Sequence, residues 1–327
     1  MPPLQNNEYT IGWICALSLE MAAARLMLDE NHGKPEQQNP SDQNIYHLGR
    51  IGQHNIVIAC LPAGVYGTTS AATVASHMLF SFESIRFGVL VGIGGGVPSK
   101  DHDIRLGDVV VSRPDRTSGG VVQYDLGKTL AEGKFIRTGS LNKPPLVLLN
   151  GIANIQAEHE MEGSNISDIL AEKLNQYKKM RGEYSYQGQE NDVLYQAEYE
   201  HDGGDGTCET CDVEMTVRRS HRESDDPQIH YGLIASGNQV IKHGATRDRL
   251  GKELGVMSFE MEAAGLMDNF PCLVIRGICD YSDSHKNKRW QRYAAATAAA
   301  YAKELLCIIP ASQISLVPTA ANLMKDG

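Results

Sequence analysis

The chain is 327 residues long, 42% hydrophobic and 21% charged, a balance that supports a large buried core and excludes a disordered polymer. Its formal net charge of −10 makes the surface as a whole repel nucleic acid and anionic lipid, so a small molecule is the expected partner. Seven scattered cysteines, an odd number with several inside apolar runs, read as buried thiols of a reducing compartment, and the cytoplasm is the expected location.

The N-terminus has no basic region followed by a long apolar one, so no secretory signal is expected. No apolar run approaches the roughly 18 residues needed to cross a bilayer, and no membrane association is expected. Residues 9–17 form an apolar run rich in β-formers that passes into a helical pattern over 18–30, with Leu19, Ala22, Ala23 and Leu26 on one face. Residues 31–43, with Gly33, Pro35 and Pro40, read as a loop. A strand over 55–61, an Ala/Thr-rich helix over 69–80 and a strand over 87–91 give the βαβ pattern of a largely parallel sheet. Further strands are predicted over 108–112, 120–124, 233–236 and 272–279, and a strong helix, rich in alanine, over 290–306.

The whole chain, 1–327, reads as one domain with an insertion at about 151–228. In its first part Ile166, Leu170, Leu174 and Tyr177 share a helical stripe. Its second part, 181–227, is polar and weakly periodic and is expected to be a loop with a partly disordered tip. Fraying is expected after residue 310.

Ligands of α/β sheets bind at the carboxyl ends of strands, and three such places carry notable residues. Glu20 follows the first strand, in the first turn of a helix whose dipole stabilises an anion. Gly92-Ile93-Gly94-Gly95-Gly96 follows the third, reading as a glycine turn that can approach a ligand closely. It fits neither a dinucleotide fingerprint, because Val97 and Pro98 follow, nor a Walker loop, because no Gly-Lys-Ser/Thr closes it. Glu260 and Glu262 sit among Phe259, Met261 and Ala263, where a carboxylate is costly unless paired, and Arg276 is the structural candidate to neutralise one. The last strand stops at Asp280.

In order along the chain, Ile11-Gly12-Trp13-Ile14-Cys15-Ala16-Leu17-Ser18-Leu19-Glu20, Gly64-Val65-Tyr66-Gly67, the glycine run leading to Leu106-Gly107-Asp108, Gly232 to Asn238, Phe259-Glu260-Met261-Glu262-Ala263-Ala264 and Val274 to Asp280 resemble the purine nucleoside phosphorylase and methylthioadenosine/S-adenosylhomocysteine nucleosidase superfamily, particularly its fungal purine nucleosidase-like members. The resemblance implies an α/β fold, a three-layer α/β/α sandwich around a mixed, largely parallel twisted sheet. It implies hydrolysis of the N-glycosidic bond of a purine nucleoside without a cofactor. Glu20 would deprotonate water, Glu262 would bind the ribose hydroxyls and Asp280 would protonate the leaving purine. Gly92, Ile93, Gly94, Asn238, Val240, Ile241, Glu260 and Met261 would line sugar and base. On this reading Glu20 stays ionised while burial raises Asp280. Family members are commonly oligomers, so a homodimer or larger assembly is expected.

Phosphorylases of the family hold phosphate with an arginine before the glycine run and a serine or threonine within it. Here Leu90 and Ile93 stand at those positions, which favours water as nucleophile, whereas an arginine beside Ile93 would count against it. The alternatives are a phosphate-dependent phosphorylase and a non-catalytic nucleoside-binding or signalling module; related domains occur fused to NTPase and repeat regions, and no P-loop or repeat array is legible here. Cys208 and Cys211 with His201 supply three candidate zinc ligands where a structural zinc takes four, so no metal is expected. His285 reads as a solvated loop residue.

Overall fold

The computed structural model describes residues 4–201 and 207–323. In chain order, β1 (Ile11–Cys15) leads into α1 (Ser18–Leu26), followed by β2 (Glu30–Gly33), β3 (Tyr46–Ile51), β4 (His54–Cys60), α2 (Thr68–Ser81) and the long β5 (Phe87–Gly96). β6 (Val109–Ser112) and β7 (Val121–Gln123) come next, then a separate small hairpin of β8 (Gly127–Thr129) and β9 (Phe135–Arg137). Helices α3 (Leu146–Glu162), α4 (Ile166–Asn175) and α5 (Lys178–Glu183) precede β10 (Ile229–Ser236), α6 (Gly244–Leu254), β11 (Val256–Glu260) and β12 (Cys272–Asp280). The chain then forms α7 (Gln291–Ile308), α8 (Ala311–Ser315) and α9 (Ala320–Leu323).

The main sheet has the order β11-β10-β6-β12-β5-β1-β4-β3-β2, with β7 beside β10. β5 and β12, β5 and β1, β1 and β4, and β10 with β6, β7 and β11 pair parallel, whereas β12–β6, β3–β4 and β2–β3 pair antiparallel. The fold is therefore the mixed, largely parallel α/β class expected from the alternating pattern. One feature is added. The end of β5 pairs antiparallel with β11, Gly95 opposite Phe259 and Gly96 opposite Ser258, so β5, β12, β6, β10 and β11 close into a ring.

That closure corrects the reading of the glycines. Residues 92–96 form no turn but continue β5 as extended strand. Their lack of side chains serves close packing: a Cβ on Gly92 would come within 2.5 Å of both Arg276 Nη1 and Glu20 Oε1. A Cβ on Gly95 would meet Ser282 Oγ at 2.0 Å and Asp280 Oδ1 at 2.8 Å.

β2 lies in the segment expected to be a loop, as a polar, mostly exposed edge strand with a register irregularity against β3. It has no apolar alternation from which it could be read. β11 is buried at every position, so it too lacks the period-two signal, and β3, with two buried residues side by side at its centre, does not alternate strictly either. The alanines of α7 pack almost onto the sheet: a Cβ on Gly277 of β12 would fall 1.8 Å from the Ala294 carbonyl oxygen.

The segment expected to be an insertion contributes to the core. α3 buries Leu148, Ile152 and Ile155, α4 buries Ile166, Leu170 and Leu174, and both pack on α7. Residues 184–201 and 207–227 have little regular structure but are tied down. Arg222 donates to both oxygens of Asp108 at 2.7 and 2.8 Å, and Arg219 donates to Asp192 at 2.9 Å and to the Tyr281 hydroxyl at 2.8 Å. Residues 202–206 of this segment lie outside the described residues.

Fraying after residue 310 does not describe residues 311–323. Ile314 and Ala320 are buried, Ala320 N donates to Ile85 O at 2.8 Å, and Arg86 donates to Val317 O. Residues 324–327 lie outside the described residues. Among the described residues there is no disulfide, and no single helix is long and apolar enough to cross a membrane.

Candidate active site

Four chain segments deliver acidic or basic groups to one cavity of about 460 Å³ at the ends of β1, β5, β11 and β12. The first is the turn from β1 into α1. Glu20 there is buried, and its Oε2 accepts from the backbone N–H of Ala16 at 2.7 Å and Leu17 at 2.9 Å, while Oε1 accepts from Ile93 N–H at 2.8 Å. A carboxylate suits three donors, since it is an acceptor only. Burial nonetheless pushes its pKa up, opposed by Arg276 and by these three N–H groups. Desolvation thereby makes Glu20 the stronger base.

The second and third segments meet across the sheet. Arg276 of β12 donates through Nη2 to Glu260 and, at 3.2 Å, to Glu262 Oε2, and through Nη1 to Ile93 O at 3.4 Å. Glu260 also accepts from the backbone N–H of Glu262 at 3.1 Å and of Ala263 at 3.0 Å. Its Oε1 accepts from Ala263 N–H at 3.2 Å, so Glu260 holds the arginine and the turn after β11 as well as lining the cavity. Glu262 accepts from Arg276 and, at 3.4 Å, from Met261 N–H, both through Oε2. Burial first, then Glu260 and Glu20, push its pKa up to about 7 against the pull of Arg276.

The fourth is the loop leaving β12. Asp280 Oδ1 accepts from Ser282 N–H at 2.9 Å, and Oδ2 lies 3.1 Å from Lys286 Nζ and accepts from Cys279 Sγ at 3.1 Å. Ser282 turns the chain with φ of 53°, a left-handed conformation that a side chain rarely adopts. Burial works to lower Lys286, but the Asp280 carboxylate outweighs it and raises its pKa, so the ammonium is the favoured form.

Of the residues expected at the site, Glu20, Ile93, Gly94, Val240, Ile241, Glu260, Met261, Glu262 and Asp280 line the cavity. Gly92 and Asn238 do not. Gly92 lies behind it, against Glu20 and Arg276. Asn238 is exposed and accepts from Thr68 N–H at 3.1 Å, bracing the start of α2. Tyr66, Phe259, Lys286 and Lys288 also line the cavity without having been assigned to it. Phe259 and Lys286 neighbour motif residues in sequence, which was their only signal. His285 is not solvated: it is 7% exposed, its ring stacked on Tyr195 at 3.9 Å between centroids.

An arginine does stand beside Ile93, the arrangement that would count against hydrolysis. It is not a cradle for phosphate. Arg276 is 1% exposed, ion-paired with Glu260 and Glu262, and within the field of Glu20, so three carboxylates already face its single charge. A dianion placed there would meet net negative charge. Leu90 is buried and does not reach the cavity.

Residues 10–307 match the family described as the phosphorylase superfamily. A nucleotide-binding leucine-rich repeat (NLR)-like protein of Hyaloscypha variabilis is 50% identical over 308 residues, 94% of this chain; the chain spans only 30% of that relative's length. A 5′-methylthioadenosine/S-adenosylhomocysteine nucleosidase of Mycobacterium bovis is 25% identical, covering 92% of this chain and 97% of its own. In fold, the chain is similar to the 5′-methylthioadenosine/S-adenosylhomocysteine nucleosidase of Neisseria meningitidis in complex with methylthio-immucillin-A. The TM-score is 0.57 at 16% identity, over 91% of this chain and 98% of that one.

Proposed function

The chain belongs to the phosphorylase superfamily, and from that premise we propose that it hydrolyses the N-glycosidic bond of a purine nucleoside to the free base and ribose. Water attacks the anomeric carbon C1′ and Glu20 accepts its proton. The C1′–N9 bond breaks, its electron pair passes to the purine, and Asp280 passes to N7 a proton drawn from the Lys286 ammonium 3.1 Å away. Glu262 accepts hydrogen bonds from the ribose hydroxyls through the oxygen that Arg276 leaves open. Met261 lies under the sugar, while Phe259, Val240 and Ile241 offer apolar surface to the base. Such a bond needs two carboxyls in opposite roles, one taking and one giving a proton.

The observation that carries the reading is the convergence of Glu20, Glu262 and Asp280 on one cavity whose buried arginine is already neutralised. The test is a panel of purine and pyrimidine nucleosides incubated with and without phosphate. Purine and free ribose released at equal rates in both support the proposal. Strict dependence on phosphate, with ribose 1-phosphate as product, overturns it in favour of a phosphorylase.

The likeness to an NLR-like protein favours a second reading, a nucleoside-binding module within a larger signalling chain. Saturable nucleoside binding with no base released, in protein whose Glu20→Gln variant binds equally well, would establish that reading instead.

A further inference from the structure

A second cluster of reactive side chains lies on the segment between α5 and β10, outside the set of residues assigned to catalysis. His201 Nδ1 is 3.2 Å from Cys211 Sγ. One ligand atom from each of His201, Cys208 and Cys211 lies within 4.8 Å of the other two, and all three residues are partly buried. Cys211 N–H donates to Cys208 O at 3.2 Å, closing a tight turn that brings the two thiols to the same side. Tetrahedral zinc, with bonds of about 2.3 Å to sulfur and about 2.1 Å to nitrogen, sets neighbouring ligand atoms about 3.6–3.8 Å apart. The trio has the span of three corners of such a site.

The surroundings point the same way. His285 is buried with neither ring nitrogen hydrogen-bonded among the described residues, and its ring centroid is 5.6 Å from that of His201. The cluster is bound to the loop that holds Asp280: His201 N–H donates to Ser284 Oγ at 2.8 Å, and Cys208 Sγ lies 3.5 Å from His285 O. The same loop carries Lys286, the ion-pair partner of Asp280. Two thiolates and a neutral imidazole balance the charge of a divalent ion, so binding adds no net charge to this partly buried site.

We propose that His201, Cys208 and Cys211 bind one zinc ion, which fastens this segment to the loop following β12. The sequence spacing alone argued against a metal because it supplied only three ligands. The tertiary structure adds proximity and a buried neighbouring imidazole, and a solvent molecule completes the fourth position.

The test uses the full chain, purified under reducing conditions without chelators, equilibrated with zinc and passed through gel filtration. Elemental analysis is expected to find about one zinc per chain. The C208S/C211S double variant is expected to retain less than about one tenth of that. Because that variant could fail to fold, cobalt(II) is titrated into the zinc-free parent protein as well. A thiolate-to-cobalt charge-transfer band with the visible bands of tetrahedral cobalt, abolished by stoichiometric zinc, supports the site. Sub-stoichiometric zinc with no charge-transfer band overturns it, as does an intact mass showing a Cys208–Cys211 disulfide that persists in the reduced preparation. None of these readings depends on nucleoside turnover, so the zinc proposal and the hydrolase proposal can fail separately.

Discussion

Arg276 and Glu260 form an ion pair in which each side chain is only 1% exposed. Two ions so fully removed from water are tolerated because they face each other, and the same guanidinium also serves Glu262 and Glu20. Arg276→Met leaves three carboxyls buried around an apolar side chain. A loss of about 3–5 kcal/mol is expected, read as a lowered urea midpoint at neutral pH. Adding Glu260→Gln should restore part of it; strictly additive losses would mean that the two residues are not coupled.

Glu20→Gln turns one of its two accepting oxygens into an NH₂, set against either the Ile93 N–H or those of Ala16 and Leu17. If Glu20 is the general base, kcat falls by about 10²–10⁴-fold while circular dichroism stays that of the parent. Turnover within a factor of about three of the parent would remove Glu20 from the mechanism.

Asp280→Asn separates leaving-group protonation from the other steps. Purine nucleosides should lose about 10²–10⁴-fold in kcat, whereas a nitrophenyl riboside, whose leaving group needs no proton, should lose far less. Equal losses on both substrates would assign Asp280 to binding or to holding Lys286 rather than to proton transfer.

Glu262 supplies a pH signature. Its pKa is about 7 in the folded chain and 4.5 when unperturbed, so between those values the folded state holds a proton that the unfolded state has released. Its stabilising contribution is present in full below about 4.5 and is lost as pH rises through about 7. Glu262→Gln should flatten the fall in stability across that window, measured by urea denaturation at a series of pH values. A slope equal to the parent's would assign the titration to the other buried acid that burial raises, Glu20.

Much of the site was legible because each acid sits at a local landmark. Glu20 opens a helix just after an apolar run, and Asp280 ends one. Glu260 and Glu262 stand out as charges among Phe259, Met261 and Ala263. What local pattern could not reveal is the division of labour between the last two: Glu260 is consumed by Arg276 and two backbone N–H groups, whereas Glu262 keeps an oxygen for the cavity. Asn238 failed for the same reason, since its partner Thr68 is 170 residues away.

From its order of residues alone, this protein determined its α/β class, most of its strands and helices, and which carboxyls occupy the strand ends. Apolar periodicity and turn chemistry act over a few residues, so they are written locally. Only the tertiary structure decided that β5 runs on through its glycines to close on β11, that residues 311–323 dock against the Ile85 region, and that the charge of Arg276 beside Ile93 is already taken. Those outcomes depend on which distant backbones and charges come within a few ångströms of each other, and on the cost of burying an ion without a partner; neither is set by the neighbours of a residue in the chain.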